Sequence, residues 1–231
     1  MIQQIESNDL GFTGLWSNAT KLECGILFLN QKLADDVFFD KLTDITCTSE
    51  DMIDESIGYF QKNHSVPYVY SLNYPELDYL LEKKGFTRYD VQHVLKRTRS
   101  VKKTNAMKIT RDNIDLWTRI FCEAYDCPNW SSHVTSILEN TLDSVDYVVD
   151  ESGSSCMALY EINSILGLYC LGTVPSKRHR GTATSLIDFA LYQADSKNLT
   201  LILETYEKDH LLEFYSKLGF EQVYCKTVYT I

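Results

Sequence analysis

Between Thr173 and Thr184 the sequence runs Thr-Val-Pro-Ser-Lys-Arg-His-Arg-Gly-Thr-Ala-Thr, joining an apolar run to the start of a helical pattern. A strand that opens through a tight turn into a helix presents unpaired backbone N–H groups and the positive end of the helix dipole. Together these make an anion site suited to a pyrophosphate. Gly181 allows close approach of the backbone, small Thr182, Ala183 and Thr184 leave room for phosphate oxygens, and Arg178 and Arg180 add positive charge. The same residues would also make a solvated basic turn capping an ordinary crossover helix. His179 falls inside this loop and His210 on the first turn of a later helix, so neither is well placed as a proton acceptor.

The elements that must position this loop follow from periodicity. Ala183, Leu186, Ile187, Ala190, Leu191 and Ala194 keep the i, i+3, i+4, i+7 spacing of a helix face. That helix leads into an apolar strand over 199–204, so the strands before and after it are expected to be parallel. Upstream, 146–150, 156–161 and 165–173 read as strands joined by links short enough for hairpins, hence antiparallel. A strand over 106–110 comes before them. Thr110 is placed to cap a helix running to about Asp126, with Ile114, Trp117, Ile120 and Phe121 on its apolar face, and Ser131 or Ser132 to cap a second helix to about Leu142. A mixed sheet flanked by helices follows.

Composition narrows the classes. The 231 residues carry 22 basic and 32 acidic side chains, a net charge of −10, which argues against a nucleic-acid partner held by phosphate contacts. No apolar run approaches the roughly 18 residues of a membrane span. The N-terminal residues have no basic stretch followed by an apolar one, so no secretory signal is expected. Seven cysteines are scattered with no C-x-x-C pair. Reduced thiols in a cytoplasmic protein, most of them filling the core, are the expectation.

Lys96–Ala106 is basic and poor in large apolar residues and reads as a connector. Residues 1–100 carry 10 basic and 15 acidic side chains and residues 101–231 carry 12 and 17, so each half is at −5. At an offset of 134, Pro67–Phe86 lies over Leu201–Phe220 without a gap. Each reads as strand, polar turn, helix, then Lys-x-Gly-Phe, with Gly85 and Gly219 where a helix ends at positive φ. The matching helix start in the first half, Thr48-Ser-Glu-Asp-Met-Ile-Asp-Glu-Ser56, is a cap followed by acidic residues that would repel a pyrophosphate.

Pro175-x-x-Arg178-x-x-Gly181-x-Ala183 resembles the acyl-CoA pyrophosphate loop of the GNAT (Gcn5-related N-acetyltransferase) superfamily, Arg/Gln-x-x-Gly-x-Gly/Ala. Leu211–Phe220, LLEFYSKLGF, resembles that family's last-helix motif, and the order of elements over 106–231 is similar to the family core. The resemblance implies a mixed α+β GNAT fold, with a central, mostly antiparallel twisted sheet flanked by helices. It makes 106–231 the N-acetyltransferase domain and 1–100 a smaller, degenerate GNAT-like half with no cofactor loop.

It further implies acetyl-CoA as co-substrate and a primary amine of a small molecule or peptide as acceptor. Leu171, Gly172 and Thr173 would face the pantetheine arm, and Arg178, His179, Arg180, Gly181, Thr182, Ala183 and Thr184 would hold the pyrophosphate. Tyr215 maps onto the general acid and Glu204 onto the carboxylate base, with Glu161 a weaker rival. Tyr169 and the stretch from Phe121 to His133, which includes Tyr125 and Trp130, would line the acceptor cleft. The chain departs from the family at two places: Lys208 stands where many relatives have a cofactor-binding Asn, and only 11 residues separate Glu204 from Tyr215. A non-catalytic acyl-CoA-binding protein is the competing function.

Overall fold

Strands and helices are interspersed along the described residues, 1–33, 36–97 and 104–231, of the computed structural model. Residues 98–103 of the expected connector lie outside the described residues. The described residues up to 97 contain α1 (Ile2–Trp16), β1 (Asn18–Lys21), β2 (Ile26–Leu29), β3 (Lys41–Thr43), α2 (Glu50–Lys62), β4 (Val69–Ser71), α3 (Pro75–Lys83) and β5 (Thr87–Arg97). Residues 104–231 contain β6 (Met107–Lys108), α4 (Ile114–Ala124), α5 (Ser131–Thr141), β7 (Val145–Val149), β8 (Ser155–Ile162), β9 (Ile165–Thr173), α6 (Thr182–Ser196), β10 (Thr200–Tyr206), α7 (Leu212–Lys217) and β11 (Glu221–Thr230).

Contacts divide the chain into two compact units that interleave along the sequence. One comprises Met1–Asp9, Lys96–Glu204 and Gly219–Glu221, the other Leu10–Leu95, Thr205–Leu218 and Gln222–Ile231. In the first unit β10, β9, β8, β7 and β6 lie in that order; in the second the order is β1, β2, β3, β4, β11, β5. β7, β8 and β9 pair antiparallel, and β9 pairs parallel with β10, as the hairpin and crossover lengths require.

The apolar face of α4 forms the core of the first unit. Trp117 is fully buried, donates its indole N–H to the Met157 carbonyl at 2.9 Å and stacks on Phe121 with ring centroids 5.0 Å apart. On α6, Leu186, Ile187, Phe189, Ala190, Leu191 and Ala194 are buried; each large apolar side chain removed from water stabilises by about 1.5–3 kcal/mol. Two helix starts differ from the sequence reading. Thr110 caps a 3-10 turn, Arg111–Asn113, from which α4 continues, its main-chain N–H bonding the Asn113 side chain at 2.7 Å. Ser131 is the first residue of α5 and not its cap, because the preceding 3-10 turn Pro128–Trp130 already sets the helix direction.

The two stretches matched at an offset of 134 fold alike locally: strand, helix, a left-handed glycine (φ 90° at Gly85, 81° at Gly219), then strand. One expectation is corrected. Cys24 and Cys47 form a disulfide within the second unit, joining the β1–β2 turn to the segment before α2, so these two thiols are not reduced. Their 23-residue separation carries no motif, and the pairing comes from the tertiary fold. No helix among the described residues is long and apolar enough to cross a membrane.

Candidate functional site

In the first unit β9 and β10 start side by side and then part. Their ladder runs from Ile165–Thr200 to Leu168–Leu203, yet β9 continues to Thr173 and β10 to Tyr206. One residue past the last pair β9 carries a bulge. Tyr169 opposes Ala158 and Gly172 opposes Cys156, so two residues, Cys170 and Leu171, face Met157 alone, and Cys170 takes φ 54°. A bulge turns the strand and releases main-chain groups from the ladder. Leu171, Gly172 and Thr173 therefore run beside a gap in the sheet.

That segment is covered on one side by the end of α4. The Tyr125 hydroxyl donates to the Leu171 carbonyl at 3.0 Å. A Cβ on Gly172 would lie 2.8 Å from the Ala124 Cβ and 2.9 Å from the Tyr125 ring. Beyond Thr173 the chain makes a 3-10 turn, Pro175–Lys177, and reaches α6 through two left-handed residues, His179 (φ 61°) and Gly181 (φ 80°). Alternation of left-handed and ordinary backbone lets consecutive N–H groups converge on an anion. Ser185 is the first residue of α6 whose N–H finds a main-chain acceptor, the Gly181 carbonyl at 2.9 Å. The amides of Thr182, Ala183 and Thr184 precede it in the first turn, where a helix supplies no partner. No side chain caps α6, its first turn holds no acidic residue, and a Cβ at Gly181 would meet nothing within 4 Å.

The start of α2 is the opposite. There Ser49 caps the helix by accepting from the Met52 N–H at 3.1 Å, and Glu50 and Asp51 occupy the first turn. The α6 start is thus open, cationic and donor-rich, whereas the α2 start is capped and acidic. The residues of the loop fit the diphosphate of an acyl-CoA on chemistry and on space.

Arg178 serves the loop in a way its spacing did not reveal. Its guanidinium donates to the Thr173 carbonyl and to the Ala124 carbonyl, each at 3.2 Å, tying the loop to the end of β9 and the C-terminus of α4. A cation on the last carbonyls of a helix is the favourable arrangement. His179 and Arg180 are exposed.

Glu204 is half-buried on β10, the first residue beyond the β9–β10 ladder. Glu161 is exposed and paired with Lys197 at 2.5 Å, at the far end of the β8–β9 hairpin. Tyr169 does not line a cleft: it is buried, and its hydroxyl donates to the Asn8 Oδ1 at 2.7 Å. A cleft of about 430 Å³ opens where α4 gives way to α5, lined by Arg119, Cys122, Glu123, Asp126, Pro128 and Ser131. Burial pushes the Cys122 and Cys156 thiols above their ordinary range, so neither is a ready thiolate. Among the described residues no group of three or more His, Cys, Asp or Glu is arranged to hold a metal ion.

Tyr215 and Lys208 belong to the second unit. Tyr215 is buried on α7, and burial, reinforced by the charge of Asp209, raises its phenol further above the ordinary value near 10. Lys208 is engaged within its own unit, its Nζ 2.6 Å from the Tyr89 hydroxyl and 3.6 Å from the Asp90 carboxylate.

Comparison with solved structures bears on the fold. A GCN5-related N-acetyltransferase from Kribbella flavida is similar over 98% of this chain and 93% of that one, with a TM-score of 0.70 at 15% identity. The chain has the GNAT fold. A GCN5-related N-acetyltransferase from Sphaerobacter thermophilus is similar over 78% of this chain and 66% of its own length, at a TM-score of 0.63 and 12% identity. A functionally unknown conserved protein from Staphylococcus epidermidis is similar over 93% of both chains, at 0.65 and 13%. No protein-family model and no curated protein matches the sequence. At these identities the likeness concerns the GNAT fold alone, and chemistry has to be argued from the site.

Proposed function

We propose that the chain is an N-acyltransferase that moves an acetyl group from acetyl-CoA to a primary amine of a small molecule or peptide. The observation that carries the reading is the uncapped, basic start of α6 lying directly after the point where β9 and β10 part. That combination offers amide donors to a diphosphate and an open strand edge to the extended arm that follows it. A GNAT fold is consistent with this use and does not by itself require it.

In the proposed reaction the amine nitrogen attacks the thioester carbonyl, the carbon–sulfur bond breaks, and the departing sulfur takes a proton. The amides of Thr182, Ala183 and Thr184 and the charge of Arg180 hold the diphosphate, while Arg178 keeps the loop against α4. Binding the two reactants side by side supplies much of the rate by removing translational freedom. Glu204, half-buried on β10, accepts the proton lost by the nitrogen through water. Tyr215, which the resemblance of Leu211–Phe220 to the family's last-helix motif assigns as general acid, gives its proton to the sulfur. The acceptor enters by the cleft between α4 and α5, where Glu123 and Asp126 attract an ammonium that sheds one proton to solvent before its neutral nitrogen attacks.

Thiol release from acetyl-CoA, followed with a panel of primary amines, tests this. Amine-dependent release that falls at least a hundredfold in Tyr215→Phe is expected. Tight binding of coenzyme A with no release on any amine would assign the chain to the non-catalytic acyl-CoA binders instead.

A further inference from the structure

A chain of three hydroxyls in the first unit reaches the diphosphate loop from behind. Ser155, the fully buried first residue of β8, stands between the end of β9 and the start of α6. Its Oγ lies 2.8 Å from the Thr173 Oγ1, and it donates to the Thr182 Oγ1 at 2.7 Å. Ser155 has one proton. If that proton goes to Thr182, the Thr173 hydroxyl donates to Ser155, and the proton of Thr182 is the one left over. It points out of the relay from the first residue of α6, beside the open amides of the cradle.

Ser155 is itself held by a buried carboxylate. Asp150 accepts at Oδ1 from the N–H groups of Ser154 (2.7 Å) and Ser155 (2.6 Å), and at Oδ2 from the N–H of Ser152 (3.0 Å) and from its hydroxyl. The Ser154 carbonyl accepts from the Val174 N–H at 2.9 Å, fixing the same turn to the first residue past β9. A carboxylate accepting several N–H bonds is a rigid anchor. The β7–β8 turn, which lies outside the α6 start in sequence, therefore reaches the Thr182 side chain through Ser155.

We infer that Ser155, anchored by Asp150, is a positioning residue for the acyl donor: it accepts from Thr173 and donates to Thr182 so that the Thr182 hydroxyl is presented to the diphosphate. This rests on the reading of the α6 start as a diphosphate site. Ser155 touches no substrate and acts through Thr182.

The test compares wild type, Ser155→Ala, Thr182→Val, Thr182→Ser and the double variant Ser155→Ala/Thr182→Val. Dissociation constants for coenzyme A come from calorimetry, and KM and kcat are measured with acetyl-CoA and with acetyl-pantetheine, which lacks the diphosphate. Ser155→Ala and Thr182→Val are each expected to weaken coenzyme A and raise KM for acetyl-CoA about tenfold, with kcat at saturation unchanged and acetyl-pantetheine kinetics unaffected. Thr182→Ser should restore binding, and the double variant should bind no worse than Thr182→Val alone, because both remove one relay.

Full coenzyme A affinity in Ser155→Ala overturns the inference, as does an equal loss with acetyl-pantetheine, which would mark general damage to the fold. Should Ser155→Ala fail to fold, Ser155→Cys keeps the size with a weak donor and is read by the same criteria. No heat from coenzyme A with the wild type would remove the diphosphate reading itself, an outcome distinct from wild-type binding that Ser155→Ala leaves intact.

Discussion

Replacing Gly167 by alanine should destabilise the first unit far more than one methyl group suggests. A Cβ there would sit 2.2 Å from the Asn8 Oδ1 and 2.3 Å from the Tyr169 Cε2. Neither neighbour can yield cheaply. Asn8 is fully buried, donates to the carbonyls of Tyr160 (3.1 Å) and Ile165 (3.4 Å), and accepts from the Tyr169 hydroxyl (2.7 Å). Moving the amide aside gives up those bonds, each worth about 0.5–1.5 kcal/mol net, and overpacking adds about 1–3 kcal/mol. A loss of about 3–5 kcal/mol follows, which for a chain of this length lowers Tm by roughly 10 °C at about 2–4 °C per kcal/mol. Urea unfolding and calorimetry measure it. Pairing the change with Asn8→Ala removes one side of the clash, so the double variant should lose clearly less than the two single losses together. A single-variant cost below about 1 kcal/mol, or strict additivity, would refute the packing argument.

Arg178→Lys should weaken coenzyme A binding nearly as much as Arg178→Ala, because an ammonium cannot span the Thr173 and Ala124 carbonyls that the guanidinium fork holds; calorimetric recovery with lysine would instead make Arg178 a simple point charge for phosphate. Reducing the Cys24–Cys47 disulfide, which closes a 23-residue separation, should cost about 3 kcal/mol. The accompanying Tm loss is roughly 6–12 °C, and alkylation of the denatured, unreduced chain should label only the other five cysteines. Folding raises the phenols of Tyr215, chiefly by burial, and of Tyr229, to about 12, by burial and the nearby Asp78 and Glu82 carboxylates. Their contribution is fully present below pH ~10, where both states hold the proton, and is lost as pH rises further because the unfolded chain ionises first. The urea midpoint should therefore fall above pH ~10, with a shallower fall in Tyr215→Phe.

Much of the first unit was legible because its elements obey simple periodicities. The α6 face, the β7–β8–β9 hairpins and the parallel β9–β10 step follow from spacing and link length, and each matches within a residue or two. The open start of α6 was legible because helix starts have a fixed chemistry: the contrast between Gly181-Thr-Ala-Thr and Ser49-Glu-Asp shows in the residues themselves. What depended on tertiary contact did not show. Nothing in the sequence says that Arg178 would reach the end of α4, since Ala124 lies 54 positions away. Ser155 read only as the end of a hairpin link, although the run Asp150-Glu-Ser-Gly-Ser-Ser155 was a sign of a carboxylate-pinned turn. Tyr169 was assigned to the cleft through the family resemblance, which places it on a strand and names no partner; Asn8 supplies the partner from 161 positions away. The Cys24–Cys47 bond was hidden for the same reason.

Calorimetric titration of coenzyme A into the full chain, wild type beside Gly181→Ala, tests the diphosphate cradle most directly. Gly181 holds φ 80° with open space before it, so a methyl there strains the loop and intrudes on the ligand rather than on the protein. One coenzyme A bound by the wild type is predicted, with at least a tenfold weaker affinity in the variant and a Tm only a few degrees lower. Absence of heat with the wild type, or equal affinity in the two proteins, would contradict the account.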